Sequence, residues 1–378
     1  MTVITCAPNF PQGRVYAGYR NRLWQQEEVE GIRIIRVWTY IAANEGFAKR
    51  ILDYLSFALM GSVAALFVRT DVVVATSPQF FAAMGGWWAA FLKRKKWVME
   101  VRDRWPESIR AVGAMRGEGR VFRWLERLEL FLYRRAARVV VVTDSFRENL
   151  VERGISLQKI AVVKNGVLLD RFRPQPKDAA LAAALGLEGK FVLTYLGTHG
   201  MAHGLDFVLG CAQNLPPGVH LLLVGDGAER DNLLAFKEKE NLRNVTLLPS
   251  VPKNEVPHYL ALSDAALVCL RKSDTFRAVL PSKIFENAAM QRPILLGVEG
   301  EAKALVEQYG AGICFEPEQE AAFLAAVERL REGDFYQKCQ SGCARLAADF
   351  DRRTLAAKML GVLREVVSPS DFPQGPKA

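Results

Sequence analysis

Several functional classes are excluded by what the chain has little of. Its six cysteines, Cys6, Cys211, Cys269, Cys314, Cys339 and Cys343, include no C-x-x-C pair and have no histidine at ligand spacing. That argues against a zinc ribbon or a dithiol centre and predicts reduced core thiols, as in a cytosolic protein. Histidines number only four, and the two close together, His199 and His203, lie in a glycine-broken loop without a ligand set. No metal and no cofactor are therefore expected. The longest apolar run, 54–68, is shorter than the ~20 residues that span a bilayer, and no signal peptide opens the chain. No recognised nucleic-acid-binding module is present either, so nucleic acid is not an expected partner.

At 378 residues the chain is too long for one ordinary core, and its apolar content predicts two α/β domains. Charge separates the halves. Residues 1–170 carry 26 Lys and Arg against 16 Asp and Glu, whereas 171–378 carry 24 against 25. A basic first half fits an anionic membrane surface. The cluster Lys93-Arg94-Lys95-Lys96 lies among Phe80, Phe81, Trp87, Trp88 and Trp97. It reads as a lipid-headgroup contact or as a solvated helix end over core aromatics. The helix over 47–68, apolar on most of its circumference, is either buried or pressed to a membrane.

Strands in the first half are expected at 2–6, 32–40, 71–76, 97–101, 138–143 and 160–163. At the carboxyl end of the 97–101 strand stands Arg102-Asp103-Arg104-Trp105-Pro106-Glu107, in the place where an open α/β sheet faces its ligand. A carboxylate between two arginines is expected to stay ionised and to orient a hydroxyl. The Pro-bearing 171–176 reads as a linker. In the second half the βα alternation is clearer, with strands at 191–196, 219–224, 245–248, 265–269, 294–297 and 312–315, which predicts a parallel sheet covered on both faces.

Four loops should meet at the carboxyl edge of that sheet. One holds Gly197, Thr198, His199, Gly200 and His203, with amides able to approach a phosphate; Asp206 beyond it reads as a helix cap. A second is Gly225-Asp226-Gly227, and a third, 249–252 with Val251 in it, suits a base. The fourth, 276–291, contains Pro281-Ser282-Lys283-Ile284-Phe285-Glu286, a helix start bracketed by the cations Arg277 and Lys283. A diphosphate fits there, with Glu286 accepting from two ribose hydroxyls. On the plainer reading Glu286 complements the helix dipole and Lys283 is solvated.

With these motifs, together with Asn165-Gly166-Val167, the chain resembles retaining glycosyltransferases of family 4, with the GT-B architecture of two Rossmann-like domains facing a central cleft. The likeness is to the WbuB-like branch, which transfers amino-deoxy sugars such as L-fucosamine in surface-polysaccharide assembly. It implies an acceptor-binding domain over 1–170 and a nucleotide-sugar-binding domain over 171–348. A helix over 349–367 is expected to pack back on the first domain, and 368–378 is expected to form a flexible tail. It also implies a UDP-sugar donor, a lipid-linked acceptor, and peripheral association with the inner face of the plasma membrane. Catalysis then needs no metal: Arg277 and Lys283 hold the diphosphate, Glu286 the ribose, and Asp103 the acceptor hydroxyl, with Arg102, Arg104 and Glu107 beside it. Two departures stand out. Ala278 occupies the position of the first glutamate in the family's paired-glutamate motif, and the first βα unit of relatives has no counterpart before 2–6. A nucleotide-sugar 2-epimerase on the same fold, or a non-catalytic nucleotide-sugar-binding subunit, are the alternatives.

Overall fold

The computed structural model describes residues 1–9, 13–41, 47–77, 80–103 and 119–367. The chain forms two compact units, one made of Met1–Val163 and the stretch from Lys358 on, the other of Lys164–Ala357.

In the first unit, β1 (Thr2–Thr5), β2 (Trp24–Val29) and β3 (Ile32–Val37) form a three-stranded sheet ordered β1-β3-β2. β1 runs parallel to β3, and β2 antiparallel. Helix α1 (Phe47–Leu66) sets Phe57, Met60 and Ala64 on Ile35 and Val37 of this sheet. A second sheet takes β4 (Val72–Ser77), β5 (Lys96–Val101), β6 (Arg138–Val141) and β7 (Ile160–Val162) in parallel register, linked by α2 (Phe80–Leu92), α3 (Arg120–Arg135) and α4 (Asp144–Glu152). α2 packs closely on β4 because Gly86 lies against Ala75, and closely on α1 because Gly85 lies against Ala58 and Ser62. On α3, buried Glu129 accepts from Tyr133 Oη and from Arg153 just past α4, each at 2.6 Å. A buried carboxylate is tolerated because both its oxygens are bonded.

The second unit is one six-stranded parallel sheet. Helix α5 (Ala179–Ala184), capped by the Asp178 carboxylate, precedes β8 (Phe191–Leu196). Then follow α6 (Leu205–Gly210), β9 (Val219–Val224), α7 (Arg230–Lys239), β10 (Val245–Leu248), α8 (Val256–Leu262) and β11 (Ala265–Cys269). α9 (Lys283–Ala289), β12 (Ile294–Gly297), α10 (Glu301–Tyr309), β13 (Gly312–Cys314), α11 (Glu320–Leu330) and α12 (Gly333–Asp349) complete it. Strand order is β10-β9-β8-β11-β12-β13. The chain winds outward one way from β8 and then the other way from β11, so the switch point lies between them, where a doubly wound sheet opens a ligand crevice at its carboxyl edge. β9 and β11 are buried at every position, as a sheet covered on both faces requires. The last helix, α13 (Arg352–Val366), begins in this unit and ends in the first. Arg352 donates to Gly166 O at 3.0 Å, whereas Val362 and Val366 pack on Val98 and Val140.

No described helix is long and apolar enough to cross a membrane. The six cysteines are all free thiols.

Candidate active site

The switch point of the second unit is built by backbone approaching backbone. Gly197 follows β8 with φ +145°, and a Cβ there would overlap the Lys283 side chain, standing 2.6 Å from its Nζ. A Cβ on Gly225 would overlap the carbonyl of Gly197. Glycine at these positions lets the loops after β8 and β9 interlock. His199 N donates to Asp226 O at 2.8 Å, and Glu229 N donates to His199 O at 2.9 Å. The loop over 197–200 therefore offers fewer amides than its sequence promises. Gly197 N is spent on Val224 O and His199 N on Asp226 O, which leaves Thr198 and Gly200.

Tyr195, fully buried at the end of β8, is the hub beneath these loops. Its hydroxyl donates to Thr198 O at 2.7 Å and accepts from Lys283 Nζ at 2.7 Å, while the ammonium also lies 4.1 Å from the ring centroid. The rings of His199 and His203 approach the same tyrosine at 6.0 and 5.8 Å. Burial pushes the Tyr195 hydroxyl far above its ordinary range, so it stays a neutral donor. Lys283, the first residue of α9, has its pKa lowered to about 8, chiefly by burial, against the opposing pull of Cys269 and Glu286. Glu286, one turn on, is raised by burial, and Arg352, Lys283, Arg171 and Lys253 hold the rise back.

Both loop histidines are neutral near pH 7. Burial and then repulsion from Arg230 and Lys283 lower His199 to about 4; burial and Lys283 do the same to His203. His199 is fully buried, and neither ring nitrogen has a partner among the described residues; the same holds for Arg230 Nε. The neutral histidine, with one donor and one acceptor nitrogen, and the Arg230 Nε–H donor stand ready there for a ligand oxygen or an ordered water.

Other expected residues are placed differently. Arg277 lies in the turn Asp274–Ala278, is more than half exposed, and stands 3.7 Å from Asp274. No contact among the described residues joins it to Lys283. Ile284 buries its side chain in the core and donates its N–H to Pro281 O. Ser282 precedes α9 without a side-chain cap bond. The Asp226 carboxylate accepts from Gly227 N at 2.8 Å, and Val251 packs on the cluster that holds Leu222, Val224 and Leu262. Asp206 is not the helix cap expected of it. The cap position of α6 is Gly204, and both Asp206 oxygens accept from Arg271 at 2.8 Å. Arg271 also donates to Met201 O, tying the β8 loop to the end of β11.

In the first unit, Asp103 follows β5. Burial raises its carboxyl above the ordinary aspartate range, with Arg102 pulling the other way. Arg102 lies 3.8 Å from Glu100. Arg104 and Glu107 fall outside the described residues.

Tyr195, Arg230, Arg271 and Arg352 are the contributors that sequence reasoning passed over. Tyr195 falls within the apolar strand 191–196, where it reads as core, and its role depends on Lys283, 88 residues away.

Comparison with known proteins bears on this geometry. Residues 1–166 match the model of the glycosyl transferase 4-like domain, and residues 190–332 that of the glycosyl transferases group 1. The probable glycosyltransferase WbjE of Pseudomonas aeruginosa is 26% identical over 243 residues, which is 63% of this chain and 60% of that protein. The putative teichuronic acid biosynthesis glycosyltransferase TuaH of Bacillus subtilis is 26% identical over 66% of this chain and 62% of its own. The chain thus matches somewhat under two thirds of the length of these relatives. Among solved structures, Anabaena HepE in complex with UDP-glucose superposes with a TM-score of 0.69 at 19% identity, covering 89% of this chain and 86% of that one. At that identity the likeness is one of fold. The paired Rossmann-like domains and the two domain models spanning most of the sequence place the chain among the glycosyltransferases of the GT-B fold, with a family 4-like domain followed by a group 1 domain.

Proposed function

We propose that the protein transfers a sugar from UDP to a lipid-linked saccharide acceptor, with retention at the anomeric carbon, in the assembly of a surface polysaccharide such as O-antigen, capsule or exopolysaccharide. The donor sugar is an amino-deoxy hexose, as in the WbuB-like branch, and the work is done at the cytoplasmic face of the membrane. One observation carries the reading: Tyr195 holds the Lys283 ammonium beside the glycine turn at 197, with the Glu286 carboxylate one helical turn away. Support comes from HepE, solved with UDP-glucose, and from the names of WbjE and TuaH.

In this reading the second unit takes the donor and the first the acceptor. The bond between the anomeric carbon and the β-phosphate oxygen breaks while the acceptor hydroxyl attacks from the same face, and its proton passes to the departing phosphate. Negative charge grows on the diphosphate. Lys283, with two N–H donors left after Tyr195, and the amides of Thr198 and Gly200 stabilise it, so no metal is required. Glu286 accepts from the ribose hydroxyls, and the loop bearing Val251 meets the base. Neutral His199 and His203 hydrogen-bond the sugar or phosphate. Asp103 orients the acceptor hydroxyl, flanked by Arg102, Arg104 and Glu107.

Incubation of the full chain with UDP-linked amino sugars tests this, with and without a polyprenyl-diphosphate saccharide. Acceptor-dependent release of UDP is the expected result. Isomerisation of the UDP-sugar without acceptor would make the protein an epimerase, and UDP binding without turnover on any lipid acceptor would make it a binding subunit.

A further inference from the structure

Helix α1 turns an apolar face to solvent. Beyond its first turn, the exposed positions are Leu52, Leu55, Leu59 and Val63, and Phe67 just past its end is 77% exposed. At about 100° per residue these five project within roughly a third of the circumference. The opposite side is the packed one, against the first sheet and against α2. A helix beside water carries its polar residues outward. Here the arrangement is inverted: Asp53 and Ser56 point inward, to the hydroxyl of buried Thr39, at 2.8 and 3.0 Å.

The neighbouring helix extends this surface. α2 contains no charged side chain, its side-chain polar groups being the indole N–H donors of Trp87 and Trp88, and it exposes Trp88, Phe91 and Leu92. The carboxyl ends of α1 and α2 lie together, since Lys93 Nζ donates to Leu66 O at 2.9 Å. Around that end Arg69, Arg94 and Lys95 are exposed, against one exposed carboxylate, Asp71. A contiguous apolar surface of this kind marks a docking site, and the sign of its rim selects the occupant.

We propose that the outer faces of α1 and α2 seat the protein on an anionic lipid bilayer. α1 lies in the plane of the interface, its leucines at the acyl boundary, with Arg69, Arg94 and Lys95 at the headgroup phosphates. The inference rests on the reading above that the acceptor is lipid-linked, and names the surface that brings the protein to it.

Sedimentation of the full chain with phosphatidylglycerol-rich vesicles, against pure phosphatidylcholine, tests it. The wild type should sediment with the anionic vesicles, and its tryptophan emission should shift to the blue as Trp88 leaves water. Leu55→Glu combined with Leu59→Glu should weaken partition by ~10-fold or more. Arg94→Glu with Lys95→Glu should abolish the preference for anionic lipid. UDP titration of these variants should match the wild type, because every substituted residue lies in the first unit. A leucine double variant that sediments like the wild type, or unchanged wild-type emission on adding vesicles, overturns the proposal. So does a wild-type dimer that the leucine changes convert to monomers without any vesicle binding, since the occupant is then a second copy. Vesicle binding without sugar transfer would count against the transfer reading alone.

Discussion

Turn Asp274–Ala278 and helix α9 stand four residues apart in the chain and carry one candidate cation each, yet the fold treats the two regions differently. Lys283 is drawn in beneath the β8 loop, where a tyrosine hydroxyl and ring hold it and burial lowers its pKa to about 8. Arg277 stays at the surface beside an exposed aspartate. A charge becomes a site when the backbone around it is shaped to bring a ligand close, which glycine at 197 and 225 does for Lys283. Nearness in sequence to a helix start is insufficient.

The largest expected effect is on the buried cation. Lys283→Ala should lower kcat by ~100-fold or more, the scale of removing one preorganised electrostatic donor. Steady-state turnover at saturating donor checks it, and unchanged kcat would erase the difference between the regions. The next effect is on pH. A lysine with a lowered pKa binds an anion while protonated and loses that ability as pH rises through about 8. UDP affinity should therefore hold from pH 6 to 7, drop by about half near pH 8 and fall by up to ~10-fold per unit above it. His199 and His203, near 4, do not titrate in that window. Calorimetric titration across the range reads this directly, and a plateau extending to pH 10 would mean that Lys283 is no more buried than Arg277.

Tyr195→Phe sharpens the same point. It keeps the ring beneath the ammonium and removes the hydroxyl, at a cost of about 1 kcal/mol, or ~5-fold in UDP affinity. The ammonium loses an acceptor, so the alkaline fall should also move to lower pH. A purely structural tyrosine would alter thermal stability without moving that limb.

Much of this was legible beforehand, and the failures have physical causes. β8, β9, β10, β11 and β12 fall where continuous apolar runs place them, because strands buried on both faces carry an unmistakable pattern. β2, Trp-Gln-Gln-Glu-Glu-Val, escaped notice because it is an edge strand, mostly exposed, with no alternation to read. α5 is six residues of alanine and leucine beside a presumed linker, too short for a helical period to show. The glycine loops were recognisable as phosphate-type turns. That two of their amides were already spent, and that Asp206 serves Arg271 instead of a helix end, depended on partners tens of residues away. The raised carboxyl of Asp103 is a similar case, since burial of a side chain is a property of its neighbours in space.

Arg277→Ala carries the smallest expected effect and is the sharpest discriminator. Its guanidinium is largely solvated and its aspartate partner is fully exposed, so little is lost when the pair is removed. Turnover should change by less than ~3-fold, since a largely exposed cation adds only screened attraction. The turn that holds it is also fixed by main chain, with the Arg277 carbonyl packed against Gly300, so the truncation should leave α10 in place. If turnover fell ~100-fold, as for Lys283→Ala, the turn would have to swing inward when donor binds. The two regions would then be one site that is only half assembled without its ligand.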